Sequence, residues 1–193
     1  FIDEGADYRN HTYAKYGKEV MNQPQRTAIQ IFDSKTHDMV RDEYRIREVT
    51  KGTGNTIEEL AEELGINPVG LRKTVDEFNA ACQPGEYNPS ILDGVSTKGL
   101  AVPKSNWALP IDQGPFFGYV VTCGITFTFG GLKIDTDGRV LDLVDKPIPG
   151  LYAAGELVGG IFFQNYPGGT GLLNGSVFGR LSGKNAGLKA KAG

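Results

Sequence analysis

The clearest pattern of apolar and polar positions lies in residues 55–82, NTIEELAEELGINPVGLRKTVDEFNAAC. Thr56 and Glu59 form a capping box, and Gly65 is suited to end the helix that follows. A second helix is expected after the turn at Pro68. The apolar positions at helical spacing are Ile57, Leu60, Ala61, Leu64, Leu71, Val75 and Phe78. The pattern predicts two consecutive helices that form a hairpin.

Two segments on either side of this hairpin have weaker patterns. Residues 27–34, TAIQIFDS, alternate as a strand does, and Asp33 and Ser34 at its end are suited to cap a helix. Residues 84–115 contain five prolines, which predicts an irregular connection.

The character of the chain changes from Tyr119 onward, where β-branched and aromatic residues become frequent. The pattern predicts a strand, a hairpin turn at Asp137 and Gly138, and a second strand, with a domain boundary near residue 122. A short buried strand is expected at residues 151–154, and a last helix is expected to begin in or just after GGTGLLNGS. The expected buried side of that helix comprises Leu172, Leu173, Val177, Phe178 and Leu181.

Composition and charge narrow the class of partner. The 193 residues carry 20 Lys and Arg against 23 Asp and Glu, for a net charge of −3. This balance predicts no binding of nucleic acid or of a membrane surface, and it favours a small organic partner. Cys82 and Cys123 have no CxxC pairing and no histidine cluster nearby, so no disulfide framework and no metal site are expected. Without a membrane span or a secretion signal in the sequence, a cytoplasmic location is predicted.

The glycine-rich sequence YPGGTGLLNGSVFG indicates close approach of something to the backbone. A helix that begins here points free backbone N–H groups at whatever lies before it, and such an end binds negative charge. A tight strand-to-helix turn would account for Gly168, Gly169 and Gly171 equally well. The upstream sequence GLYAAGE favours a ligand, because Gly155 and Glu156 at a strand end would form the other wall of one crevice.

Three motifs in the second half resemble those of a known family: GGLKIDTDGRVLD, IPGLYAAGELVGG and NYPGGTGLLNGSVFGRLSGKNA. Their order and spacing are similar to the C-terminal motifs of the flavoprotein family that includes the fumarate reductase and succinate dehydrogenase flavoprotein subunits. Within that family, NYPGGTGL, ITFTFGG and the early sequence DEGADYRNHTYAKYG resemble FAD-dependent tricarballylate dehydrogenases in particular. The resemblance extends over nearly the whole chain.

The resemblance implies an α+β fold in two parts. Residues 1–122 would be most of the capping domain over the substrate, and residues 123–193 would be the C-terminal segment of the FAD-binding α/β domain. Members of the family bind the ADP half of FAD with an N-terminal GxGxxG motif, which this sequence lacks. The chain is therefore expected to be a C-terminal fragment that retains FAD poorly and is inactive by itself.

The resemblance also implies which residues contact the cofactor. Glu156 would hydrogen-bond the ribityl or ribose part of FAD, with Gly155 keeping the backbone close; an exposed acid at a strand end is the alternative for Glu156. The other expected contacts lie at the helix start: Gly168, Gly169, Thr170, Gly171, Leu172 and Leu173. The N–H groups of the last three residues should face the flavin N1/C2 carbonyl edge, where negative charge collects when hydride reaches N5.

The substrate side departs from the fumarate reductase pattern. Where those enzymes carry two histidines, this sequence has Thr126 and Phe127, and where they carry the arginine of NRLGG it has Tyr166 in NYPGG. Both motifs contact substrate carboxylates in those enzymes, so the resemblance implies Thr126, Phe127 and Tyr166 as the candidate substrate contacts here. The departures therefore argue against fumarate or succinate as the substrate.

Arg9 and Tyr166 are the candidate catalytic residues. Arg9 falls within about one position of the arginine that delivers the proton in fumarate reductases, and a carboxylate clamp or a surface ion pair are its alternatives. His11 is a candidate pocket residue beside it, or else is solvated. A tyrosine just before a glycine-rich turn is also similar to 3-ketosteroid dehydrogenases, in which a phenol polarises a substrate carbonyl. For Tyr166, a hydrogen bond to a substrate carboxylate and a place in the core stay open.

The sequence thus predicts a fragment of an FAD-dependent dehydrogenase that desaturates a CH–CH bond of a carboxylate substrate, of the tricarballylate-to-aconitate type. Hydride would pass to flavin N5 and a proton to a protein base. A protein or a quinone-linked carrier is the candidate electron acceptor. Two alternatives stay open: a 3-ketosteroid dehydrogenase-like desaturase, and a non-catalytic binding or assembly module in which residues 56–82 recognise a partner.

Overall fold

The computed structural model describes Asp3 and residues 15–192. The chain divides into two compact units, Phe1–Cys123 and Gly124–Gly193. Both units combine helices with strands, which confirms the mixed helix and sheet fold predicted from the sequence. Arg9 and His11 lie outside the described residues, so their roles stay predictions.

An antiparallel sheet of three strands forms the centre of the first unit. Its strands are β1 (Thr27–Phe32), β2 (Lys51–Gly54) and β3 (Phe116–Thr122), and the short helices α1 (Lys15–Met21) and α2 (Ser34–His37) flank β1. β3 is the middle strand, and its Thr122 pairs with Thr27 of β1. The strand predicted at residues 27–34 is confirmed, and the carboxylate of Asp33 caps α2 by accepting a hydrogen bond from the N–H of Lys35.

The predicted helical hairpin is also confirmed, as α3 (Ile57–Glu63) and α4 (Pro68–Ala81). Thr56 Oγ1 accepts a hydrogen bond from the N–H of Glu59 at 3.1 Å, as the capping box requires. Gly65 ends the hairpin's first helix with a φ of +67°, a conformation that glycine adopts without strain. The core between hairpin and sheet consists of Ile57, Leu60, Val75 and Phe116.

Two glycines allow α3 to lie directly on the sheet. A Cβ atom on Gly54 would lie 2.4 Å from the backbone N of Leu60, and one on Gly118 would lie 2.4 Å from Cδ1 of Leu64. Side chains at these positions would push the helix off the strands. Residues 84–115, which connect α4 to β3, form no helix or strand of their own, as predicted.

The second unit contains a strand pair and one long helix: β4 (Arg139–Leu141), β5 (Pro147–Tyr152) and α5 (Thr170–Ala192). The turn predicted at Asp137 and Gly138 is present, and Gly138 has a φ of +78°. The strand predicted before this turn is reduced to two isolated bridges, Leu132 with Val158 and Ile134 with Val140. The regular strand that includes Tyr119 is β3 of the first unit. The reason is that β3 is hydrogen-bonded to β1 and β2 instead.

The buried face of α5 differs from the prediction. Its buried residues are Asn174 and Ser182, whereas Leu172 is 83% and Leu173 59% exposed. Ser182 Oγ donates to the carbonyl of Ala153 at 3.0 Å, and Asn174 Nδ2 donates to the carbonyl of Gly155 at 3.2 Å. These two polar side chains hydrogen-bond the backbone carbonyls that follow β5. The leucines therefore lie on the exposed side of α5. Of the other apolar residues predicted to be buried, Val177 is exposed, and Phe178 and Leu181 are half-buried.

Candidate functional site

At the start of α5, two backbone N–H groups have no acceptor among the residues that the structure describes. Gly169 has a φ of +83°, and the N–H of Thr170 donates to the carbonyl of Pro167 at 3.1 Å. The N–H of Leu173 donates to the carbonyl of Gly169 at 3.1 Å, within the helical ladder. The N–H groups of Gly171 and Leu172 donate to no residue that the structure describes. The predicted set of three free donors is therefore reduced to two at this positively polarised end.

An aromatic ring explains the glycine at position 171. A Cβ atom on Gly171 would lie 2.7 Å from Cε2 of Phe127, closer than a real side chain allows. The Phe127 ring therefore lies against the first turn of α5, next to the two free N–H groups. This contact brings one predicted substrate residue to the predicted cofactor turn.

Phe127 belongs to a cluster of four half-buried aromatic side chains: Phe127, Phe129, Phe162 and Tyr166. The ring centre of Tyr166 lies 4.8 Å from that of Phe127, 5.8 Å from that of Phe162 and 6.2 Å from that of Phe129. Tilted and edge-on rings at these distances attract each other. The cluster thus fixes the Tyr166 ring beside the glycine-rich turn, while the neighbouring Thr126 is exposed.

The Glu156 side chain is held by a threonine that lies far from it in sequence. Oε1 of Glu156 accepts hydrogen bonds from the Thr128 N–H at 2.8 Å and from Thr128 Oγ1 at 3.0 Å. Oε2 accepts none from the described part of the chain. Gly155, the residue before it, has a φ of +81° with open space where a Cβ atom would lie. The acid and the glycine of the AGE sequence are thus both accessible to a ligand.

Two glycines bring the segments of Thr128 and Glu156 together. The N–H of Leu132 donates to the carbonyl of Leu157 at 2.9 Å, and the N–H of Gly159 donates to the carbonyl of Leu132 at 3.1 Å. A Cβ atom on Gly131 would lie 2.1 Å from the Leu157 carbonyl oxygen. Only glycine permits this approach of the two backbones.

A family model described as FAD binding domain matches residues 2–173. The chain belongs to this family of flavoproteins, whose members bind FAD. FAD is therefore the cofactor, as predicted, and the free donors of Gly171 and Leu172 and the free oxygen of Glu156 suit the polar groups of a flavin nucleotide.

Known proteins related to the chain are oxidoreductases. It is 35% identical over 178 residues to a probable fumarate reductase, Ifc3, of Shewanella frigidimarina strain NCIMB 400, covering 91% of this chain and 28% of the relative. It resembles the structure of an open flavocytochrome c3 fumarate reductase, with a TM-score of 0.72, 34% identity, and coverage of 96% and 30%.

A second solved structure differs in its substrate. The 3-ketosteroid delta1-dehydrogenase of Sterolibacterium denitrificans, in complex with 1,4-androstadiene-3,17-dione, has a TM-score of 0.66 and 25% identity, with coverage of 98% of this chain and 37% of that one. The chain thus spans 28–37% of the length of these proteins. In the residues that the structure covers, every helix is too short or too polar to cross a bilayer.

Sequence reasoning missed four residues of the site: Thr128, Phe129, Phe162 and Asn174. The alternation in ITFTFGG is a signal for the first two, because it puts Phe127 and Phe129 on one side of an extended segment and Thr128 on the other. Phe162 and Asn174 have no comparable local signal. Their part depends on contacts between distant segments.

Proposed function

We propose that the protein containing this chain is an FAD-dependent dehydrogenase that forms a C=C bond next to a carboxylate, with tricarballylate-to-aconitate conversion as the first candidate. Residues 1–122 are then most of the capping domain, and residues 123–193 the last segment of the FAD domain. The observation that carries this proposal is the position of Tyr166, which lies in the aromatic cluster beside the free N–H groups of Gly171 and Leu172.

The proposed cofactor contacts divide between two segments. The N–H groups of Gly171 and Leu172 bind and stabilise negative charge at the start of α5. Oε2 of Glu156 accepts a hydrogen bond from a hydroxyl of the ribityl or ribose part. When bound, FAD supplies the hydride acceptor, N5.

Tyr166 is the proposed substrate contact. Its phenol donates a hydrogen bond to the substrate group that activates the C–H bond, and this bond strengthens as charge develops there. The proton lost from the adjacent carbon passes to a protein base, for which Arg9 remains the candidate. Thr126 and His11 are proposed as further substrate contacts.

A second candidate, the dehydrogenation of a cyclic ketone, is favoured by the aromatic cluster. Three phenylalanine rings around Tyr166 offer an apolar wall that suits a ring system better than a tricarboxylate. Of the three basic side chains of residues 124–169, Lys133 pairs with Asp145 and Arg139 with Asp135, whereas Lys146 forms no ion pair with the described residues. A phenol directed at a ketone requires no additional cation.

Turnover by the full-length protein with an artificial electron acceptor distinguishes the two candidates. We expect oxidation of tricarballylate if the substrate is a carboxylate. Oxidation of a 3-ketosteroid alone would instead support dehydrogenation of a cyclic ketone. A protein that binds FAD but oxidises neither, and that captures a stable partner through residues 56–82, would instead favour the binding module.

A further inference from the structure

We propose that Thr128 is a positioning residue for the cofactor site, which holds the Glu156 carboxylate in the orientation that presents Oε2 to a hydroxyl group of FAD. This inference rests on the proposed role of Glu156. It assigns a function to a residue that the family motifs AGE and NYPGG do not include.

The geometry of the two hydrogen bonds carries the proposal. Both donors of Thr128, the backbone N–H and the hydroxyl, converge on the same oxygen of Glu156, at 2.8 and 3.0 Å. A carboxylate oxygen with two donors is fixed in position, and the second oxygen then has a defined direction. Glu156 is exposed, so without Thr128 its side chain would sample several rotamers and lose entropy on binding a ligand.

The backbone around Thr128 is fixed as well. Gly131 and Gly159 allow the two segments to approach within hydrogen-bond distance at Leu132 and Leu157, a few residues from the Thr128–Glu156 contact. Thr128 also lies between Phe127 and Phe129, which belong to the aromatic cluster. The two hydrogen bonds of Thr128 therefore connect Glu156, the proposed cofactor contact, to the segment that carries Phe127 and Phe129 of the aromatic cluster.

The test is the Kd for FAD of the full-length apoprotein, measured from the change in flavin fluorescence on binding. Thr128→Val keeps the side-chain shape and removes the hydroxyl, and we expect it to raise the Kd for FAD about fivefold, as the loss of one hydrogen bond to a charged group does at a partly solvated site. Thr128→Ser restores the hydroxyl and is expected to keep the wild-type Kd. Thr136→Val, at an exposed turn position of the same unit, is the matched control and is expected to leave the Kd unchanged.

A double-mutant cycle separates positioning from general damage. In a Glu156→Ala background, Thr128→Val is expected to have no further effect on the Kd, because the carboxylate that it orients is gone. If Glu156→Ala does not yield folded protein, Glu156→Gln serves in the same cycle, with a reduced effect of Thr128→Val expected. Equal Kd values for Thr128→Val and Thr136→Val, or fully additive effects of the two site changes, would overturn the inference.

Failure of this inference is distinguishable from failure of the proposed function. A wild-type protein that binds FAD and oxidises its substrate, combined with a silent Thr128→Val variant, would remove only the role of Thr128. A full-length wild-type protein without affinity for FAD would remove both.

Discussion

In the first unit, α3 and α4 bury Leu60 and Val75 against a sheet, whereas in the second unit α5 buries Asn174 and Ser182 and exposes leucines. The two units thus use their helices differently. The two helices of the hairpin pack an apolar core against the sheet, and each helix begins with its own N-cap residue. The long helix is attached through hydrogen bonds to carbonyls, which leaves its start, with two free N–H groups, available for a ligand.

The largest expected effect compares the same substitution in the two units. Leu60→Ala removes a completely buried side chain from the first core, and we expect a loss of about 2–5 kcal/mol in the free energy of unfolding. Leu188→Ala, on the exposed side of α5, is expected to cost less than about 0.5 kcal/mol. Urea unfolding of the full-length protein measures both. A similar cost at the two positions would contradict the contrast between the helices.

The next effect concerns the site. Tyr166→Phe is expected to lower kcat/KM about 100-fold, because removal of one donor to a group that gains charge has effects of that order. The aromatic cluster is retained, so the melting temperature should not change. Tyr87→Phe in the first unit is the control. A Tyr166→Phe variant with unaltered kcat/KM would assign the tyrosine to packing alone.

A third prediction uses glycines with opposite surroundings. Gly54→Ala puts a Cβ atom against the backbone of α3, and we expect a destabilisation of about 1–3 kcal/mol. Gly179→Ala in α5 meets open space and is expected to stabilise the helix by about 0.5–1 kcal/mol. The difference in melting temperature between the two variants measures this contrast. A Gly54→Ala variant that is as stable as the wild type or more stable would show that the packing of α3 on the sheet is looser than the structure indicates.

The smallest expected effect is at a helix cap. Thr56→Ala removes the acceptor for the N–H of Glu59 at the start of α3, at an expected cost of about 1 kcal/mol. Thr56→Ser keeps the acceptor and is expected to have wild-type stability in urea unfolding. If the serine variant were as unstable as the alanine variant, the methyl group rather than the cap would be responsible.

The features that could be predicted from the sequence depend on residues close together in the chain, whereas the features that could not depend on contacts between distant segments. The hairpin could be predicted because Thr56, Glu59 and Gly65 act within a few residues of one another. The positions of Leu172 and Leu173 predicted a buried side of α5. Whether these leucines are buried depends on which segments pack against the helix, and the local sequence does not show that. The strand pairing of β3 likewise depends on partners more than 60 residues away.

The candidate site divides in the same way. Gly155, Glu156 and Gly171 can be proposed as candidate site residues from motifs, because short glycine-rich sequences reflect local backbone needs. The contact of Thr128 with Glu156 spans 28 residues. The alternation in ITFTFGG indicates that Thr128 faces away from the two phenylalanines, but it does not indicate which residue Thr128 contacts. The roles of Arg9 and His11 stay predictions, since both lie outside the described residues.

The most direct test of the proposed dehydrogenase is the visible absorption spectrum of the full-length protein before and after anaerobic addition of tricarballylate. We expect a flavin band that bleaches on addition, since transfer of hydride to the flavin removes its visible absorption. A flavin band that stays unchanged with tricarballylate but bleaches with a 3-ketosteroid would contradict the carboxylate substrate. A full-length protein without a flavin band would contradict the dehydrogenase proposal itself.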